Sequence, residues 1–228
     1  MSAIFVAGAG TDVGKTHVAA ALIRRLRADG APVAALKPLV SGFDPEDWAQ
    51  SDPGRLLAAL GAPLTLQALD ALSPWRFRAP LSPEMAAARE GARLDPQALI
   101  ARCQAEIAAH AGRPLLIEGV GGVMSPIAER ATNLDWMAAL GLPVLLVGGS
   151  YLGAISHTLT ALAVIRAAGL SAPVVVISES AAGDAPFDET LTRLEVLSGA
   201  PIVGVRRGAD DDSWTGRVLG LLGWVVCG

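Results

Sequence analysis

The chain has 228 residues, 52% of them hydrophobic and only 4% aromatic, enough to fill one core built mainly of Ala, Leu and Val; a single domain over residues 1–228 is the expected organisation. Its formal net charge of −4 argues against general nucleic-acid binding, and no apolar run reaches the ~18 residues of a membrane span. Cys103 and Cys227 form no metal or redox spacing, and the first strand begins too early to leave room for a signal peptide, so a cytoplasmic protein with inert thiols is expected.

Ile4-Phe5-Val6-Ala7 is an apolar run of strand length, followed by the glycine-rich turn Gly8-Ala9-Gly10-Thr11-Asp12-Val13-Gly14 and then Lys15-Thr16. From Thr16 to about Arg27 the spacing of Val18, Leu22, Ile23 and Leu26 is helical. Strand, glycine loop, Gly-Lys-Thr and helix in that order predict a phosphate-binding loop. Its glycines let backbone N–H groups turn around an anion, and the helix N-terminus adds free donors. Lys15 is placed to reach the β- and γ-phosphates and the Thr16 hydroxyl to sit on Mg²⁺. The loop is a variant, because Gly8 stands six positions before Gly14.

Only two of the 18 basic residues are lysines, Lys15 and Lys37. An ammonium is a compact donor and a guanidinium a planar fork. A chain that otherwise uses Arg therefore marks Lys37 as a second site residue, with an ordinary surface lysine as the alternative. Residues 32–36 read as a second buried strand that delivers Lys37, and then Ser41-Gly42, to the carboxyl rim where open parallel sheets bind ligands. Asp44 to Asp52 reads as a polar loop, and Leu56, Leu57 and Leu60 as a short helix ended by Gly61. Leu72 to Pro83 holds three prolines with Trp75 and Phe77 and is expected to be an ordered surface loop with pinned aromatics.

Asp95-Pro96 starts a helix whose buried stripe is Leu99, Ile100, Cys103 and Ile107. Leu115 to Gly119 is a strand ending in Glu118, an acid presented at a strand tip as nucleotidases present one to Mg²⁺; a solvated turn acid is the alternative. Helices are then expected over Asn133–Leu140, from Leu152-Gly153 to about Ala168, and over Phe187–Leu197. Strands are expected over Pro143–Val147, Val174–Ile177 and Pro201–Val205. Asp210 to Asp212 reads as a solvated turn before a short helix and a final Gly223–Cys227 segment. Strands alternating with helices predict an α/β fold of the P-loop NTPase kind, a mostly parallel central sheet with helices on both faces.

With these segments in place, the chain resembles the dethiobiotin synthetase family of the biotin pathway over nearly its full length. The resemblance rests on Gly8-x5-Gly14-Lys15-Thr16, Lys37-Pro38-Leu39-Val40-Ser41-Gly42, Ser51-Asp52, Pro74-Trp75-Arg76-Phe77 with Pro80-Leu81-Ser82-Pro83, Glu118-Gly119-Val120-Gly121-Gly122, Asp135-Trp136 and Leu152-Gly153-Ala154-Ile155-Ser156-His157. It implies an ATP-dependent cyclo-ligase. One amine of 7,8-diaminopelargonic acid takes up CO₂, ATP phosphorylates the carbamate, and the second amine closes the ring, releasing ADP and phosphate. The resemblance implies nucleotide contacts from Gly10, Thr11, Asp12, Val13, Gly14, Lys15, Thr16, Glu118, Gly121 and Ser178. Mg²⁺ would be held by Thr16, Asp52 and Glu118; Lys15, Lys37 and Thr11 would serve catalysis. Ser41 and Lys37 would bind the carbamate. It further implies a homodimer in which backbone donors at Leu152, Gly153 and Ala154 hold the carboxylate tail of the partner's substrate, with His157 packed at the interface.

Three departures stand out. Ser178-Glu179 replace the family's usual Asn-Asp, whose Asn reads adenine in a way a hydroxyl does not reproduce. Glu84 follows Ser82-Pro83 where the family has His, and Phe187 stands where it often has Tyr. Two other readings share the loop class. An amidating ligase of cobalamin synthesis needs a further glutamine-hydrolysing domain. A partitioning or septum-positioning switch ATPase carries an extra lysine at the position of Gly10.

Overall fold

The apolar run after the N-terminus forms strand β1, Ala3–Gly8, and every residue of it is buried. The computed structural model describes residues 2–181, 185–208 and 213–224. In chain order there follow α1 (Lys15–Ala28), β2 (Ala34–Leu36), β3 (Leu39–Ser41), α2 (Asp52–Leu60), α3 (Leu66–Leu72), β4 (Trp75–Phe77), α4 (Pro83–Arg89), α5 (Pro96–Ala109) and β5 (Leu115–Glu118). The second half adds β6 (Pro126–Ala128), β7 (Ala131–Thr132), α6 (Asn133–Leu140), β8 (Val144–Gly148), α7 (Ala154–Ala167), β9 (Val174–Ser178), α8 (Phe187–Ser198), β10 (Ile202–Val205) and α9 (Ser213–Leu221).

Six strands make one sheet in the order β10-β9-β8-β1-β5-β2, and every pairing in it is parallel. Strand alternation divides the core in two. Phe5, Ile117, Leu146 and Ile177 face one layer with Trp136 and Met137 of α6, Leu162 of α7 and Leu194 of α8. Ile4, Val6, Leu116, Leu145 and Val176 face the other, against Leu22 and Leu26 of α1, Leu56 of α2 and Val218 of α9. Trp136 meets Phe5 edge-on at 4.8 Å and 87°, a geometry contributing about 0.5–1.5 kcal/mol beyond burial. Burial pushes the Cys103 thiol up to about 12, which makes it the inert thiol expected. No helix among the described residues is long and apolar enough to cross a membrane.

Local chemistry sets the boundaries. Ser51 caps α2 ahead of Pro53, and Asp95 caps α5 ahead of Pro96. Thr132 and Asp135 form a reciprocal capping box on α6.

The Leu72–Pro83 expectation needs correction. Leu72 closes α3, Pro83 opens α4, and Trp75–Phe77 is a strand pairing in parallel with β3. Its prolines lie outside the paired residues, where they remove no ladder donor. Both aromatics are nevertheless pinned, Phe77 inside the core and Trp75 against it. The Asp44–Asp52 loop contains a short 3-10 turn at Trp48–Gln50, and Asp52 is already the first residue of α2. The expectations for Asp210–Asp212 and Cys227 fall outside the described residues.

Candidate active site

The exits of β1, β2 and β5 converge at the rim of the sheet. Between β1 and α1 the loop closes so tightly that a Cβ on Gly8 would lie 2.7 Å from the Gly10 carbonyl oxygen. Gly14 holds φ 91° and a Cβ there would lie 2.7 Å from Ser178 Oγ, so only glycine fits. Gly14 is also the N-cap of α1 and offers no side-chain cap to the first-turn amides, which point toward the loop's anion position.

Lys15, at the start of α1, folds back to donate to the carbonyls of Gly121 at 3.0 Å and Gly10 at 3.3 Å. Burial, with Lys37 nearby, holds its ammonium down to about 8. Lys37, just past β2, is 2% exposed. It donates to Glu118 Oε1 and to the Gly119 carbonyl, both at 2.8 Å, and lies 3.4 Å from Asp52 Oδ2. Burial pulls its pKa down, but Glu118 and Asp52 outweigh that and hold it above the ordinary lysine value. In the half-exposed Asp52, burial works to raise the pKa; Lys37 and a Thr16 hydrogen bond overcome it and lower the carboxyl below its ordinary value.

Glu118 is the hub. Its Oε1 accepts from Thr16 Oγ1 at 2.7 Å and from Lys37, whereas its Oε2 is buried with no partner. An orphaned carboxylate oxygen beside a hydroxyl and a second carboxylate suits a hard divalent cation. Among the described residues no three His, Cys, Asp or Glu side chains cluster. Thr16, Asp52 and Glu118 thus bring three oxygen donors together, a set whose chemistry fits a hard divalent cation.

A cleft of about 420 Å³ runs along the loop. Lys15, Thr16, Asp52 and Arg55 line one end, Asp12, Val13 and Gly14 the middle, and Ser178–Ser180 with Val205–Gly208 the other end. Glu179 Oε2 accepts from the Arg207 amide at 3.0 Å. Thr11 is exposed on the loop. Ser41 stands at the end of β3 in the small second sheet. Leu152, Gly153 and Ala154 do not line this cleft; they open α7, with Leu152 91% exposed. Phe187 is buried in the core beneath the Arg206 guanidinium.

Several supports escaped the sequence reading. Asn133, the only asparagine in the chain, donates to the Val120 and Gly122 carbonyls and so braces the turn that receives Lys15. Ser150 and Ser180 exchange hydrogen bonds, each amide donating to the other's hydroxyl at 3.0 Å, and join the exits of β8 and β9. Tyr151 bonds His157 at 2.9 Å. The one available signal was scarcity, a single Asn and a single Tyr in 228 residues.

A glycine loop between β1 and α1, a lysine and a threonine at its end, and an acid at a neighbouring strand tip define a phosphate-loop nucleotide-binding protein. Consistent with that, the chain matches a chain of the MinC:MinD cell division protein complex of Aquifex aeolicus at a TM-score of 0.56 over 95% of this chain and 86% of that one; at 11% identity the likeness is one of fold alone. A family described as "AAA domain" matches residues 2–205. The chain is 50% identical over 213 residues to the ATP-dependent dethiobiotin synthetase BioD of Methylobacterium nodulans, covering 91% of this chain and 94% of that protein. It is 52% identical over 221 residues to the protein of the same name from a Caulobacter species, covering 96% and 93%. The chain belongs to the ATP-dependent dethiobiotin synthetase family.

Proposed function

We propose that this chain, as one domain and in the cytoplasm, closes the ureido ring of 7,8-diaminopelargonic acid with CO₂ at the expense of ATP. The observation that carries the reading is Glu118, one oxygen tied to Lys37 and Thr16 and the other buried and unpartnered beside the phosphate loop. One amine of the substrate adds to CO₂ and loses a proton, giving a carbamate. A carbamate oxygen attacks the γ-phosphorus and ADP leaves. The second amine attacks the carbamate carbon, the C–O bond to phosphate breaks, and dethiobiotin and phosphate depart.

Phosphoryl transfer of this kind needs placed positive charge more than covalent help. Lys15 turns from the Gly10 and Gly121 carbonyls to the β- and γ-oxygens. Lys37, held protonated by Glu118 and Asp52, faces the carbamate and the transferring group. Gly10 to Thr16, with Gly121 beside them, cradle the phosphates through backbone donors, while Thr11 and Ser41 orient phosphate and carbamate by hydroxyl contacts. Ser178 lies at the base end of the same cleft. Thr16, Asp52 and Glu118 would hold Mg²⁺, which would supply charge neutralisation for the transferring phosphoryl group. In a homodimer, the start of α7 at Leu152–Ala154, which no side chain caps, offers backbone donors to the carboxylate tail of the partner's substrate, the Ala154 amide turning from the Tyr151 carbonyl it meets at 2.9 Å.

The test is phosphate release from ATP with Mg²⁺ and bicarbonate, with and without the diamine, followed by product mass. Diamine-dependent release with a dethiobiotin mass supports the reading. Turnover indifferent to the diamine overturns it and favours a switch ATPase.

A further inference from the structure

The chain contains one tyrosine, and it stands against the phosphate loop. The Tyr151 ring lies over Gly149, where a Cβ would come within 2.9 Å of it. Its hydroxyl reaches Gly10, lying 3.6 Å from where a Cβ on that residue would be. The preceding residue is fixed, because Ser150 is 2% exposed and locked to Ser180 by the reciprocal hydrogen bonds. From the first turn of α7, His157 Nδ1 meets the phenol oxygen at 2.9 Å, with the two rings tilted and 5.6 Å apart. Three contacts therefore aim one hydroxyl at the loop at Gly10.

A phenol carries one donor and two acceptor sites, and the His157 contact uses only one of them. With the proton on Nδ1, His157 donates to the phenol oxygen and the Tyr151 O–H is left to donate elsewhere. Desolvation raises the Tyr151 pKa above its ordinary value, so the proton stays on the phenol at neutral pH. The loop residue that O–H reaches is Gly10, beside which the chemistry proposed above places negative oxygens.

We propose that Tyr151 is a binding residue of the ring-closing site, donating its hydroxyl to an anionic oxygen held over Gly10 and Thr11, and that His157 is the residue that positions it. The inference rests on the ligase reading. The oxygen belongs either to the carbamate or to the γ-phosphoryl group, two sources of one chemistry that kinetics separates.

Steady-state kinetics of the full chain provide the test, with ATP affinity measured separately by calorimetry. Tyr151→Phe keeps the ring packing and removes only the hydroxyl. A hydrogen bond to a charged group predicts a fall in kcat/KM of about 10- to 100-fold, with an unchanged thermal midpoint. A fall confined to the diamine, with ATP affinity intact, assigns the oxygen to the carbamate; weakened ATP affinity assigns it to the γ-phosphoryl group. His157→Asn, whose amide nitrogen falls near the Nδ1 position, retains most of the activity, whereas His157→Ala falls with Tyr151→Phe. A Tyr151→Phe enzyme within about twofold of an active wild type overturns the assignment and leaves the ligase reading standing. A wild type that ignores the diamine overturns both.

Discussion

The two ends of the nucleotide cleft are built on different principles. At the phosphate end, Lys15, Lys37, Thr16 and Glu118 are all buried, and Lys37 pairs with the Glu118 and Asp52 carboxylates over 2.8–3.4 Å. At the other end, Ser178, Ser180, Glu179 and Arg206 are partly or fully open: the serine contacts run through hydroxyls and backbone amides, and the one close ion pair, Arg206 with Asp188 at 2.6 Å, lies in solvent. Buried charges tolerate one arrangement, because any unpaired member keeps its full desolvation cost. Hydroxyls at a rim can exchange a lost partner for water. The phosphate end is thus the place where substitutions are costly, and the Ser178-Glu179 end the place where they are tolerated.

The contrast is broken most directly at Lys37. Lys37→Met strands the Glu118 carboxylate in the core and should cost about 3–5 kcal/mol of stability, read as the denaturant midpoint. It should also lower kcat by about 10²–10³-fold, the scale for loss of one placed transition-state donor. Lys37→Arg should fare little better, since a fork does not fit a point-charge site; a near-normal Arg variant would contradict the packing argument.

Thr16 sharpens the same end. Thr16→Val loses the hydroxyl that donates to Glu118, and the Mg²⁺ concentration for half-maximal activity should rise at least about 10-fold. Thr16→Ser should stay near the wild type, and an equal loss in both would remove Thr16 from the cation site.

Lys15 gives a pH signature. Its ammonium is held down to about 8, so the free enzyme carries it neutral above that pH. Phosphate oxygens favour the charged form. Nucleotide affinity should therefore be full below pH 8 and fall by up to about tenfold per pH unit above it, with up to about one proton taken up on binding. Calorimetry in buffers of different ionisation enthalpy, at pH 7 and pH 9, checks this; equal proton uptake at both would contradict it.

The smallest effects belong to the Ser178 end. Ser178→Ala should change the ATP KM by less than about threefold. Ser150→Ala, which breaks one of the two hydrogen bonds with Ser180, should cost about 1–2 kcal/mol in melting experiments and leave turnover nearly intact. A large loss of turnover in either would erase the contrast.

How far the sequence reading reached follows the same division. Lys37 was visible because the chain has only two lysines, and Glu118 because an apolar run ends in an acid. Both signals are local, and the sheet carries their neighbours to one rim through parallel pairings. Asp52 was visible only through the family resemblance, since nothing local separates it from Asp44 or Asp47. The pairing of Trp75–Phe77 with Leu39–Ser41 stayed hidden because it joins two short segments distant in sequence, one of them flanked by prolines. Asn133 and Tyr151 stayed hidden for a related reason. Each works through partners on other elements, and no spacing in the chain announces such a partner.

The measurement that tests the central claim most directly follows oxygen. Bicarbonate labelled with ¹⁸O is supplied with the diamine, ATP and Mg²⁺, over times short against exchange with water, and the released phosphate is weighed. Transfer through a carbamate phosphorylated at the Lys15–Lys37–Glu118 site leaves one labelled oxygen in each phosphate formed. Phosphate carrying only oxygen from ATP and water would mean that ATP is hydrolysed without ring closure, and would contradict the account.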